Sequence, residues 1–454
     1  MRPDIPVVQL SEWEAGRRAP VSELTDTDRQ LASALREADG GRLLIDERRD
    51  GVWVTAKSWV GVVRFSTFEV RVVPKLAGGN LGVIRMLDYA SGIGALRRFD
   101  AVRQLDTVGD DLVELIAWLF ADAAGRIVRD GLLNDYAARE DTLHVLRGRL
   151  RVMAQVQQRY GRVDPLEVAF DEFESDIPDN QIIAAALDAT RPIVRTPIVQ
   201  RPIRRLHAIF HEACDPSTLD ALGLLDELVY TRRNEHYRGV HSLARLLLRR
   251  LAVRDLFTRG GTRSFAFLLD MNQLFEAFVT QLVADTLGSL GIHVHAQRRD
   301  RSIVIDESTQ RGYSAIIPDL LLEGRSEGQT IRLPIDAKYK LYDQRKIDPG
   351  DVYQTFFYAF AYANESVGRR PARAVILYPR AKDGADIALR VDTHAGHQNA
   401  RIDAFGIDID AALAVIGRGK ILRQDVLAMD RLYGVFHEAW HASLKEGRWH
   451  ALPA

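Results

Sequence analysis

At 454 residues the chain is too long for one ordinary core, which points to two or three domains. A hydrophobic share of 46% beside 27% charged residues excludes a disordered or fibrous chain. The formal net charge of −1 excludes a global basic field, so any nucleic-acid contact must come from local clusters. The single cysteine, Cys214, excludes an intrachain disulfide and a multi-cysteine zinc site, and reads as a buried small hydrophobe. The opening stretch "MRPDIPVVQLSEWEAG" has no apolar h-region, and no uninterrupted apolar run approaches the roughly 18 residues of a membrane span. A cytoplasmic protein without a membrane partner is expected.

Residues 1–104 read as a β-rich N-terminal domain: "RLLIDERRDGVWVTAKSWVGVVRFSTFEVRVVPKL" alternates β-branched and aromatic runs with the breaks "RRDG" and "STF". "GVIRMLDYASG" then reads as a helix stopped by Gly92. Residues 105–260 carry a helical period. Leu112, Leu115, Ile116, Leu119 and Phe120 form one stripe, and "DIPDN" caps a helix expected to begin near Gln181. Further helices are predicted around "DALGLLDELVYTRR" and "HSLARLLLRRLAVRDLF".

The pair of glycines in "RGGT" (259–262) marks the start of a third domain, 261–454. Its predicted order is a helix "MNQLFEAFVTQLVADTLGSLG", a strand region "HVHAQRRDRSIVI", a hairpin, a helix "GDVYQTFFYAFAYANES" and a strand "RAVILYP". That order implies an α/β domain with a mixed sheet flanked by helices, inside a chain that is α+β as a whole.

The hairpin "PDLLLEGRSEGQTIRLPIDAKYK" (318–340) carries ionised groups where buried strands should have none. Strands of about seven residues joined by "EGRSEGQT" bring Asp319 and Asp336 side by side. Two carboxylates that close conflict unless a cation intervenes, and a hard divalent ion such as Mg²⁺ accepts carboxylates together with water and phosphate oxygens. Lys338 returns to the face of Asp336 by the period-2 rule. There an ammonium can orient or help deprotonate an attacking water and offset charge building on phosphorus, which suits phosphodiester hydrolysis. Glu276, set among Leu274, Phe275, Phe278 and Val279, reads either as a boundary residue or as a third carboxylate for the metal. Gln354 and Tyr358 share a helix face, beside Phe356, Phe357 and Phe360, which read as core.

Other motifs compete. "HEAWH" (437–441) satisfies H-E-x-x-H, with His437 and His441 on one helix face and Glu438 as base, the pattern of a zinc hydrolase. The metzincin extension fails, because Leu444 and Gly447 stand where Gly and His are needed, and a terminal helix with surface histidines is the simpler reading. "HVHA" (293–296) lacks companion ligands and reads as ordinary strand. Arg191, Arg195, Arg201, Arg204 and Arg205 form an acid-free run, and 231–254 adds a second basic face. Either grips a DNA backbone or is solvated and paired within the molecule. G-x-x-x-x-G-K-[ST] is absent; "GRGK" (417–420) lacks the first glycine and is followed by Ile421, so the chain binds no nucleotide through a P-loop and any motor is a separate protein.

Glu276, Pro318–Asp319, Asp336–Ala337–Lys338 and Gln354-x-x-x-Tyr358, in that order, resemble the PD-(D/E)XK nuclease superfamily with a RecB-like QxxxY helix. "FDEFESDIPDNQII" (170–183), "RGRL" (147–150), "WVGVV…VRVVPKL" (59–76) and "DMNQLFEAFV" (270–279) resemble the McrC family, endonuclease subunits of the McrBC modification-dependent restriction system. The resemblance runs roughly from residue 50 to 380. It implies a Mg²⁺-dependent DNA endonuclease, with Mn²⁺ as a substitute, in which Asp319, Asp336 and Glu276 hold the metal. It further implies double-stranded DNA as substrate and a hexameric McrB-type AAA+ GTPase as partner, engaged by the N-terminal region. The alternative is a non-catalytic DNA-binding adaptor that stimulates an AAA+ NTPase.

Overall fold

A computed structural model describes residues 5–38, 41–75, 78–92, 111–162, 164–216, 220–251, 265–326, 329–342, 346–363, 371–380, 386–392, 394 and 398–447. The "RGGT" boundary lies outside the described residues. The N-terminal part contains β1 (Val7–Ser11), β2 (Arg17–Arg18), α1 (Asp26–Glu37), β3 (Leu43–Arg48), β4 (Gly51–Ala56), β5 (Trp59–Arg64), β6 (Glu69–Val73) and α2 (Gly79–Ala90). Thr25 caps α1 by accepting the Asp28 N–H at 3.2 Å, and Gly92 takes the left-handed conformation just beyond α2.

The middle part contains α3 (Leu112–Asp130), β7 (Asp135–Leu143), β8 (Arg149–Leu150), α4 (Val152–Arg159), β9 (Leu166–Glu174), α5 (Pro178–Thr190), α6 (Pro197–Ala213), α7 (Ala221–Glu227) and α8 (Arg238–Leu251). It is less purely helical than its period suggests, because β7, β9 and β8 form a three-stranded sheet. Helix α5 starts three residues before the expected Gln181. Pro178 occupies its first turn, where a missing N–H costs nothing, and no side chain caps it.

The last part contains β10 (Phe265–Asp270), α9 (Met271–Leu287), β11 (His293–Ala296), β12 (Asp300–Asp306), β13 (Arg311–Ile316), β14 (Leu320–Ser326), β15 (Gln329–Ala337), α10 (Pro349–Ala361), β16 (Ala372–Pro379), β17 (Ile387–Asp392), β18 (Gln398–Ile407), α11 (Ile409–Ile416) and α12 (Leu427–Gly447). The chain is thus a mixed α/β structure with several sheets. Strand β10 pairs antiparallel with β5 and completes the N-terminal sheet β1-β6-β5-β10. Gly61 permits it: a Cβ there would stand 2.1 Å from the Phe267 carbonyl oxygen.

A six-stranded sheet, β11-β14-β15-β16-β18-β17, follows. Its β14/β15 and β17/β18 pairs are antiparallel and its β15/β16 and β16/β18 pairs parallel, so the sheet is mixed as expected. Alternation decides its two faces. Leu320, Leu322, Leu333 and Ile335 are buried in one cluster with Phe275, Phe278 and Leu282 of α9, while Leu321 is buried in another with Tyr358 of α10. The strand region read across 293–305 is two strands in different sheets, broken at Gln297, whose φ is +44°.

Several polar contacts among the described residues bind the parts together. Buried Arg64 of β5 pairs with Glu69 at 2.7 Å and donates to the Ile193 carbonyl at 2.8 Å and to Asp111, the cap of α3, at 3.3 Å. Met271 N–H donates to the Ser58 carbonyl at 3.0 Å. Glu12, just past β1, accepts from the Tyr339 hydroxyl at 3.1 Å.

Candidate functional site

The hairpin register sets the site. Leu320 pairs with Ile335, and extending that antiparallel ladder by one pair places Asp319 directly across from Asp336. Directly opposed residues hold their Cβ atoms about 4.5–5.5 Å apart, close enough for two carboxylates to share one ion. Asp319 lies just before β14 and Asp336 inside β15, both on the face that receives α10. One oxygen of Asp319 accepts the Ala337 N–H at 2.7 Å. Asp336 is 1% exposed, and neither of its oxygens receives a directed hydrogen bond; its neighbour is the Lys338 ammonium, 3.0 Å from Oδ2.

The electrostatics follow from that burial. Desolvation, and then the facing Asp336 charge, push the Asp319 carboxyl up to about 6. Asp336 is also raised, by burial first, with Lys338 opposing. Lys338 feels burial against its charge, yet Asp336, Asp319 and Asp351 outweigh it and hold the ammonium above the ordinary lysine range. Its neighbours therefore favour the protonated, cationic form of Lys338.

A hydrogen-bonded chain leads outward from that charge. Lys338 Nζ donates to Gln354 Oε1 at 3.1 Å, Gln354 Nε2 donates to the Tyr358 hydroxyl at 3.0 Å, and Tyr358 donates to the Ile317 carbonyl at 3.0 Å. The last acceptor lies two residues before Asp319, so the α10 pair braces both strands of the hairpin. Glu276 on α9 comes from the other layer and is held by Gln297 Nε2 at 2.5 Å. Burial raises its carboxyl, Gln297 opposes this, and the Asp319 charge raises it further. Sequence reasoning missed Gln297, whose main-chain N–H also donates to the Asp319 carbonyl at 2.9 Å. It also missed the brace behind Lys338, where Lys340 pairs with Asp348 at 2.8 Å and Asp351 at 2.7 Å and Tyr342 bonds Asp351.

Comparison with known proteins decides the family. The model of the family described as "McrBC 5-methylcytosine restriction system component" matches residues 54–379, well over half of the chain. The chain belongs to the McrBC family. Its fold is similar to a chain in the refined half-complex from a tetradecameric assembly of Thermococcus gammatolerans McrB AAA+ hexamers with bound McrC. That match has 18% identity and a TM-score of 0.60, and covers 94% of this chain and 100% of the other. A second chain, from the cryo-EM structure of the Thermococcus gammatolerans McrBC complex, aligns at 20% identity over 61% of this chain and 87% of its own, with a TM-score of 0.45 that carries no argument. No curated protein matches the sequence.

The remaining candidates of this McrBC-family chain fall apart from the acidic pair. Arg191 caps the end of α5, and Arg201, Arg204 and Arg205 are exposed on α6. Arg201 and Arg205 line, with Arg129, Asp122 and Trp118, a groove between α3 and α6. Arg195 is committed internally, its guanidinium 3.4 Å from Glu69 and its N–H donating to Glu114 at 2.5 Å. Much of the second basic stretch is paired within the molecule: Arg233 with Asp135, Arg238 with Glu235, and Arg245 and Arg249 with Asp226. His293 and His295 lie on β11 facing β14, as strand residues. His437 is exposed against Tyr433, and Glu438 is engaged by Arg373 at 2.9 Å; the His441 side chain lies outside the described residues. Among the described residues no helix is long and apolar enough to cross a membrane.

Proposed function

We propose that this chain is the nuclease subunit of a McrBC-type restriction complex, hydrolysing DNA phosphodiesters at a Mg²⁺-dependent PD-(D/E)XK site. The observation that carries the reading is the opposed pair of half-buried Asp319 and buried Asp336, with the Lys338 ammonium against Asp336. The pair fits a divalent cation: Asp336 offers two buried oxygens, one of them 3.0 Å from the Lys338 ammonium, and Asp319 keeps one oxygen outside its bond to Ala337. Glu276 is the third carboxylate in reach of the same charges. Mg²⁺, when bound, cancels the repulsion of the pair and acts as a Lewis acid toward phosphate oxygens.

The protein's own contribution is positioning. Lys338, kept protonated by its carboxylate neighbours, sets a fixed positive charge where a phosphorane builds negative charge. Gln354 and Tyr358 restrict the ammonium to one direction, since each donates to the next group in line. The DNA backbone is gripped by Arg201, Arg204 and Arg205, which are exposed, whereas Arg195 is paired with Glu69.

The partner is a McrB-type AAA+ GTPase hexamer that binds modified DNA. Membership in the McrBC family and the fold shared with a chain bound to McrB hexamers support this. The deciding test is cleavage of methylated DNA by the full chain with its partner, GTP and Mg²⁺. Loss of cleavage in Asp336→Ala with partner-stimulated GTP hydrolysis intact supports the reading; no cleavage by the wild-type assembly assigns the chain instead as a non-catalytic adaptor.

A further inference from the structure

The geometry points to a second metal site, for Zn²⁺ or a similar imidazole-seeking divalent ion, formed by Asp188, His207 and His211 in the helical region. It is independent of the nuclease reading. His207 and His211 are four apart on α6 and so share one face. Both turn Nε2 toward the same carboxylate on α5: His207 Nε2 is 2.8 Å from Asp188 Oδ1, and His211 Nε2 is 3.0 Å from Oδ2. The two rings are stacked with centroids 4.1 Å apart, and the three potential ligand atoms all lie within 4.8 Å of one another.

Ligand type and spacing agree with zinc. Two imidazole nitrogens and one carboxylate oxygen are a usual three-ligand set, with the fourth position left to water. Ligand atoms about 2.0–2.1 Å from a tetrahedral ion stand about 3.3 Å apart, so small side-chain rotations would admit one here. Imidazoles select zinc, copper or nickel over magnesium, which prefers oxygen alone. Access is open: Asp188 and His211 side chains are 40% and 34% exposed, while His207 at 17% anchors the inner edge. A bound ion would fasten α6, which carries Arg201, Arg204 and Arg205, to α5 by coordination in place of the two imidazole–carboxylate contacts.

The test uses the full chain in the Asp336→Ala background with excess Mg²⁺, so that the acidic pair does not report. Zn²⁺ titration by calorimetry and the visible spectrum of the Co²⁺-loaded protein are the readouts. The expected result is one Zn²⁺ per chain, a tetrahedral-type Co²⁺ spectrum, and affinity lower by about 100-fold or more in His207→Ala and His211→Ala. His211→Gln and Asp188→Asn, at the exposed side, serve if His207→Ala does not fold. The inference is overturned if the chain takes up no Zn²⁺, if substitutions at Asp188, His207 and His211 leave binding unchanged, or if His437→Ala abolishes binding that they spare.

Discussion

Gln297 holds Glu276 through its side-chain amide while its main-chain N–H holds the carbonyl of Asp319, so a single residue joins α9 to the acidic hairpin. It does so from a left-handed backbone, φ +44°, that a non-glycine residue adopts at a cost. Gln297→Gly and Gln297→Ala both delete the amide, but only glycine relieves the backbone. The glycine variant should be more stable than the alanine variant by about 1 kcal/mol in urea denaturation. Both should cut DNA several-fold more slowly, since Glu276 is then left without its donor.

The facing carboxylates make metal-free stability depend on pH. The Asp319 carboxyl stands at about 6 in the fold against 3.8 ordinarily, so folding favours its protonated form. That contribution is complete below about pH 4 and is lost as pH rises through about 6. Asp319→Asn should therefore stabilise the metal-free chain by about 3 kcal/mol at pH 8 and hardly at all near pH 4. Denaturation at the two pH values checks this, and added Mg²⁺ should raise the wild type at pH 8 but leave Asp319→Asn nearly unmoved.

Lys338 and Asp336 stabilise each other's charge inside the protein. Lys338→Ala strands a buried carboxylate and should cost about 3 kcal/mol or more, besides slowing cleavage at least about 100-fold. Combined with Asp336→Asn, the stability loss should largely vanish, because the orphaned charge is gone. A double-mutant cycle in thermal denaturation measures the coupling, and additive losses would contradict the pairing.

The outer end of the relay is a hydroxyl. Tyr358→Phe removes its bonds to Gln354 and to the Ile317 carbonyl at once. We expect a stability loss of about 1–2 kcal/mol. The maximal cleavage rate should fall several-fold with DNA binding unchanged, read as a change in kcat at constant KM.

Glu12 offers a separate pH signature. Burial pushes its carboxyl up to about 7, against the pull of the Lys75 N–H and the Tyr339 hydroxyl. Since the folded state prefers the protonated acid, its contribution is full below about pH 4.5 and is lost through about pH 7. Glu12→Gln should then gain stability on the wild type by about 3 kcal/mol at pH 9 and little at pH 4. Equal stabilities at pH 9 would refute the burial argument.

Where a local pattern dictated the structure, the sequence was readable. Two short apolar runs around a polar turn, with charged hairpin ends, located β14 and β15, and the spacing of Gln354 and Tyr358 placed both on one face of α10. The misses share a cause, a non-local partner. Strand β10 is absent from the predicted order because its ladder comes from distant β5, where Gly61 leaves room for Phe267 to cross. The break at Gln297 carries no glycine or proline to announce it. Asp188 and the two histidines are nineteen and twenty-three residues apart and converge only when α5 packs on α6.

Strand β10 ends at Asp270, and the same residue caps α9 by accepting the Asn272 N–H. No slack intervenes between the sheet that β10 completes and the helix that bears Glu276. Turning one against the other would tear a ladder of six register pairs with β5 before it moved the helix. A protein that grasps the N-terminal sheet therefore holds, through β10, the strand whose last residue caps the helix bearing Glu276.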